Sequence, residues 1–125
     1  MSIDDEILDM RDDLADAVIE ALLESGYRDL KAEGYEDFPA PDPVGGHIPD
    51  ITAKNKKGIT FIFEVITKEF FAEQEVADRM KAFAEFGNEK EAQFVVIVPE
   101  GEEGFASAFI EDLEIPEDSV EIWEA

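Results

Sequence analysis

Between residues 3 and 25 apolar side chains recur three and four positions apart. Ile7, Leu14, Val18 and Leu22 form the stripe, with Ile3, Leu8, Ala15, Ile19 and Leu23 beside it. That spacing predicts an amphipathic helix. Ser2 is placed to cap it, Asp4, Asp5 and Glu6 suit the positive end of its dipole, and Gly26 stands where a left-handed residue ends a helix. The period then shortens. "YRDLKAE" (27–33) alternates weakly and reads as a first strand, whereas "GYEDFPAPDPVGG" (34–46) holds three prolines and three glycines and reads as a loop. Alternating runs at about 48–54 and 59–67 flank the turn "NKKG" and predict a hairpin. A second amphipathic helix is expected at 71–86, with Val76, Met80, Phe83 and Ala84 as its buried stripe. "AQFVVIVPE" is a continuous apolar run, the mark of a strand covered on both faces. A third helix at 104–113, using Phe105, Phe109 and Leu113, and a last strand in "SVEIWE" complete the chain. The order α-β-β-β-α-β-α-β predicts an α/β fold, a central mixed sheet flanked by helices. At 125 residues it is one domain, 1–125.

The hairpin carries the candidate chemistry. Gly58 fits the left-handed position of a three-residue loop, Lys56-Lys57-Gly58, in which Asn55 pairs with Ile59. That register sets Asp50 opposite Glu64, with Cβ atoms roughly 4.5–5.5 Å apart. A loop one residue shorter would send the two carboxylates to opposite faces. Ile51, Ala53, Ile59, Phe61, Phe63 and Val65 make one apolar face, while Asp50, Thr52, Thr60, Ile62, Glu64, Ile66 and Lys68 make a mixed one. Like charges facing each other on a sheet repel, so something must compensate: a divalent cation, a raised pKa, or a nearby cation such as Lys68.

Composition narrows the options. Cysteine is absent, which excludes disulfides, thiolate metal sites and a cysteine nucleophile. One histidine, His47, makes neither a zinc site nor a His-based triad. No apolar run is long enough to span a bilayer and no signal peptide opens the chain, so a cytoplasmic location is expected. Acidic residues number 33 against ten Lys plus Arg, a net charge of −23 spread along the whole chain. A field of that sign disfavours nucleic acid and suits a salty environment or a basic protein partner.

Pro49-Asp50 opening one hairpin strand and "FEV" (63–65) in the next resemble the PD-(D/E)XK nuclease superfamily, the restriction-endonuclease-like fold. The resemblance covers most of the chain: helix, strand, "PD" strand, "FEV" strand, helix, strand. It implies that Asp50, Glu64 and the backbone carbonyl of Val65 bind Mg2+, and that a lysine helps activate water for phosphodiester hydrolysis. Two departures stand out. The lysine of the motif would fall at position 66, where this chain has Ile66; Lys68 is the substitute two residues on. The helical acid found in many members would fall at Ala15, with Asp12 and Asp16 out of place. His47, Lys56 and Lys57 are the candidate substrate contacts, and Gln74 and Lys81 stand where supporting polar groups are expected.

Two functions follow from these residues. One is a divergent Mg2+-dependent nuclease acting through Asp50, Glu64 and Lys68. The other is a catalytically inactive relative kept as an acidic protein-interaction or regulatory module. Trp123 and the Phe-rich helices suit either a homodimer interface or an ordinary core.

Overall fold

The computed structural model describes residues 5–67, 70 and 73–125, with side chains from Met10 onward, Glu117 excepted. Helix α1 (Asp5–Glu24) precedes strand β1 (Arg28–Ala32), and the hairpin β2 (Ile51–Lys54) and β3 (Thr60–Val65) follows a long loop. Helix α2 (Gln74–Lys90), strand β4 (Gln93–Val98), helix α3 (Glu103–Asp112), a 3-10 turn (Glu117–Ser119) and strand β5 (Glu121–Glu124) complete it. The five strands lie in sequence order, β1-β2-β3-β4-β5. β1–β2 and β2–β3 are antiparallel, β3–β4 and β4–β5 parallel. The mixed sheet and the element order agree with the expectation from the sequence.

The topology follows from the connections. The crossovers β3-α2-β4 and β4-α3-β5 both step the same way across the sheet, so a common handedness puts α2 and α3 on one face. The other face is left to α1. Two cores result. Leu14, Val18, Ile19 and Leu22 of α1 pack on Ile51, Ala53, Phe61, Phe63, Val65, Val95 and Ile97. On the far face Met80, Phe83, Ala84, Ala106 and Ile110 cover Ile62, Ile66, Phe94, Val96 and Val98. β4 is thus buried on both sides, as its unbroken apolar run requires. The hairpin face that reads as mixed in sequence is in fact the floor of this second core. Ile59, expected in the first core, sits at the turn and is 38% exposed.

Helix ends show which residue choices matter. Gly26 has φ +86°, and the N–H of Tyr27 donates to the Leu22 carbonyl at 3.0 Å, closing α1 with a left-handed stop. α2 runs on to Lys90 rather than ending near 86. Gly87 lies within it: a Cβ there would come within 2.9 Å of the Ala92 carbonyl oxygen, so glycine permits a close approach. The buried face of α2 is Ala77, Met80, Phe83, Ala84 and Gly87, with Val76 displaced to its margin. The expected first residue of that helix, residue 71, lies outside the described residues. In α3 the buried contacts come from Ala106 and Ile110, and Phe105 is 56% exposed. A small residue lets this short helix sit close to the sheet, which turns Phe105 outward. Trp123 packs against Phe61 and Phe63 at ring distances of 6.3 and 5.4 Å, part of the α1-side core.

Glu91 ends α2 with φ +57°, a left-handed conformation that costs an L-residue about 1 kcal/mol relative to glycine. Glu91→Gly is expected to stabilise the fold by about 0.5–1 kcal/mol in urea unfolding. Glu91→Ala, which removes the same charge and keeps the strain, should gain much less.

A carboxylate pair clamped by two arginines

The hairpin turn has the expected chemistry. Gly58 has φ +82°, its N–H donates to the Asn55 carbonyl at 3.0 Å, and the N–H of Asn55 donates to the Ile59 carbonyl at 3.0 Å. The Asn55 side-chain oxygen accepts from the N–H groups of Lys57 and Ile59, both at 3.0 Å, fixing the loop length. Lys54 then pairs with Thr60 and Ile51 with Phe63. Continued one step, that register brings Asp50 to Glu64.

Here the backbone ladder gives way to side chains. Pro49 has no N–H, and the ladder begins only at Ile51. The Asp50 N–H donates to Glu64 Oε1 at 3.1 Å, and the Val65 N–H donates to Asp50 Oδ2 at 2.9 Å. Each carboxylate therefore satisfies a main-chain donor across the hairpin. Both are poorly hydrated: the Glu64 side chain is 5% exposed and that of Asp50 11%.

Two guanidinium groups compensate their charge. Arg11, reaching from α1, pairs through Nη2 with Asp50 Oδ1, and its Nε donates to the Val65 carbonyl at 3.1 Å. Arg79, from α2, donates through Nη2 to Glu64 Oε1 at 2.7 Å and to the Ile48 carbonyl at 2.8 Å, and lies 3.8 Å from Asp50 Oδ1. Arg11 also lies over the Phe70 ring and Arg79 over that of Phe83, each at 5.8 Å. The result is a set of two acids and two bases joining α1, the hairpin and α2.

Burial raises the Glu64 pKa, and the Asp50 charge raises it further; the Arg79 guanidinium and the Asp50 N–H pull the other way without cancelling the rise. Burial alone would lower the Arg11 pKa, but Asp50 beside it turns the net shift upward. Arg79 Nε and Thr67 Oγ1 are buried without a hydrogen-bond partner among the described residues.

No other sequence candidate among the described residues hydrogen-bonds to either carboxylate. His47 is in the loop, bridged to Val44 through its backbone at 2.7 and 3.0 Å, with its ring edge-on to Phe83 at 6.4 Å. Lys56 and Lys57 stand at the hairpin tip, about 20 Å from the carboxylates at roughly 3.3 Å per residue. The Lys56 stem packs over Gly26 instead. Gln74 donates to Asp78 at 3.0 Å on its own helix. Lys68 lies outside the described residues. The Val65 carbonyl, a ligand in the sequence reading, accepts from Arg11. Sequence reasoning missed Arg11 and Arg79. The signal was faint but present: the chain has only three arginines, and Arg11 stands one helical turn before Ala15 on the same side of α1.

As arranged, the oxygens expected to face a divalent cation are met by donors of the protein itself. Asp50 Oδ1, Asp50 Oδ2, Glu64 Oε1 and the Val65 carbonyl oxygen each already accept a hydrogen bond. Among the described residues no set of three or more His, Asp or Glu side chains converges to hold a metal.

No protein-family model matches the sequence, and a search of curated proteins finds no match. Among solved structures, the crystal structure of a repair endonuclease from Pyrococcus abyssi superposes on the whole of this chain with a TM-score of 0.54 at 15% identity. The fold is restriction-endonuclease-like. This chain spans 48% of the length of that endonuclease chain. No helix among the described residues is long and apolar enough to cross a membrane.

Removing one member of a buried ion network leaves its partner charged and desolvated, at a cost of about 3–5 kcal/mol. Arg79→Met is expected to destabilise the protein by about 3 kcal/mol, and Arg79→Met with Glu64→Gln to recover most of that loss in urea unfolding. The raised Glu64 pKa also fixes a pH dependence. Its contribution is complete below the ordinary value of 4.5 and is lost as pH rises through the higher folded value. The stability of Glu64→Gln relative to wild type should therefore increase between about pH 5 and about pH 8. A flat profile over that interval, with the change falling instead below about pH 4.5, would show that the arginines dominate and the shift is downward.

Proposed function

We propose that this protein is a non-catalytic member of the restriction-endonuclease-like fold, serving as an acidic protein-interaction module. One observation carries the reading: the positions expected to bind a metal, Asp50, Glu64 and the Val65 carbonyl, are engaged by Arg11 and Arg79. A divalent ion entering there would have to displace a guanidinium that donates to Asp50 and Val65 at once. Position 66 carries Ile66, so no lysine follows Glu64 at motif spacing. The electrostatics point the same way. Phosphate backbones are bound through several Lys or Arg contacts. Two of this chain's ten basic residues are spent internally on the carboxylate pair, while its net charge is −23.

The alternative is a Mg2+-dependent phosphodiesterase in which Asp50, Glu64 and Val65 hold the ion, Lys68 serves the water and His47, Lys56 and Lys57 meet the substrate. The likeness to a repair endonuclease favours it at the level of fold. Amide NMR during a Mg2+ and Mn2+ titration, run beside a DNA cleavage assay, separates the two. The expected result is diffuse, weak shifts over the acidic surface, no saturable response at Asp50, Glu64 or Val65, and no cleavage. Saturable shifts at those three amides, with cleavage abolished by Asp50→Asn, would establish the nuclease. Arg11→Ala should expose the pair and give a measurable Mn2+ response that wild type lacks.

A further inference from the structure

Strand β5 is an edge of the sheet, with β4 on one side and no strand on the other among the described residues. Beneath that edge lies a cleft of about 540 Å³ between α3 and β5. Its floor is apolar, made by Ile110, Ile115, Val120 and Ile122. Its rim is acidic, with Glu111 and Glu114 exposed on the α3 side. Glu121 and Glu124 continue the negative charge along β5 itself. The donors described for these last two are uncharged: the Gln93 amide and Trp123 indole to Glu121, and the Gly101 N–H to Glu124 at 2.7 Å. Among the described residues no lysine or arginine pairs with any of these four glutamates.

An open edge offers unpaired main-chain groups, and a cleft beside it receives every second side chain of a strand added there. We propose that this cleft binds an extended basic segment of a partner protein, which extends the sheet at β5 and seats alternate apolar side chains on the isoleucine floor. The proposal rests on the reading of the chain as an interaction module and names the surface and the partner chemistry. Charge complementarity selects that occupant. A second copy of this chain would bring the same glutamates to the same edge, the arrangement that protects natural edge strands from self-pairing. On such a segment the Lys or Arg between the apolar positions fall on the other face of the sheet, beside Glu121, with opposite sign, while Glu111 and Glu114 add to the attraction at longer range.

The test uses a fluorescent ten-residue peptide alternating Lys and Val, with an alternating Glu-Val peptide and an oligolysine of equal positive charge as controls. Binding is read by anisotropy, and the site by amide NMR of the full chain. The Lys-Val peptide is expected to shift the amides of Glu121–Glu124, Ile110 and Ile115, and to bind at least about tenfold more tightly than oligolysine. Affinity should weaken on raising salt from about 0.1 M to about 1 M. The exposed double variant Glu111→Lys/Glu114→Lys should lose about tenfold in affinity with an unchanged circular dichroism spectrum. Equal binding of oligolysine, shifts scattered away from α3 and β5, or an unaffected double variant would overturn the proposal. Dimerisation through β5 in sedimentation would overturn it in favour of a second copy. Metal-dependent cleavage would refute the non-catalytic reading and leave this measurement standing; failed peptide binding would do the reverse.

Discussion

Two carboxylates held side by side at the open end of a hairpin cannot stay charged and buried without cations beside them. That constraint organises the centre of this molecule. Asp50 and Glu64 complete the pairing that Pro49 interrupts, so neither can leave without stranding a main-chain donor. Their charge is then met from both sides of the sheet, by Arg11 of α1 and Arg79 of α2. One polar cluster thereby ties together the three pieces that the two hydrophobic cores hold only by area. A buried network of this kind adds little net stability over an apolar replacement, but it fixes geometry because only one arrangement satisfies all its members.

The same cluster bears on chemistry. A guanidinium and a hard divalent cation answer the same electrostatic demand, and the carboxylate pair can serve one or the other at a given moment. Arginine is the stiffer solution: its fork bonds Asp50 and the Val65 carbonyl together, and it brings its own charge without recruiting an ion from solvent. In a chain so short of basic residues, placing two of three arginines inside leaves the exterior more negative still. Internal pairing and exterior acidity are therefore linked.

That exterior is not uniform. Most of the surface acids sit on helices and loops, where hydration satisfies them. Along β5 they border an apolar cleft and an unpaired strand edge, so the negative charge there has a shape as well as a sign. Acids on an edge strand discourage pairing with identical copies and leave pairing with a basic chain open.

Much of the fold was legible in the chain itself, because it depends on local periodicity. The α1 stripe, the Gly26 stop, the doubly apolar β4 run and the Asn55–Gly58 turn each encode their own geometry within a few residues. Even the juxtaposition of Asp50 and Glu64 was readable, since a hairpin register follows from its loop length. What the sequence could not supply was anything requiring two distant elements to meet. Arg11 and Asp50 are 39 positions apart, and Arg79 and Glu64 are 15 apart. The reason position 87 is glycine, the Ala92 carbonyl, is likewise a packing contact; Phe105 looked buried because helical spacing does not say how closely a helix sits on its sheet. Periodicity determined the elements and the pair of acids. Only the packing of α1 and α2 on opposite faces decided that arginines answer their charge, because electrostatic compensation depends on distance in space and leaves no pattern along the chain.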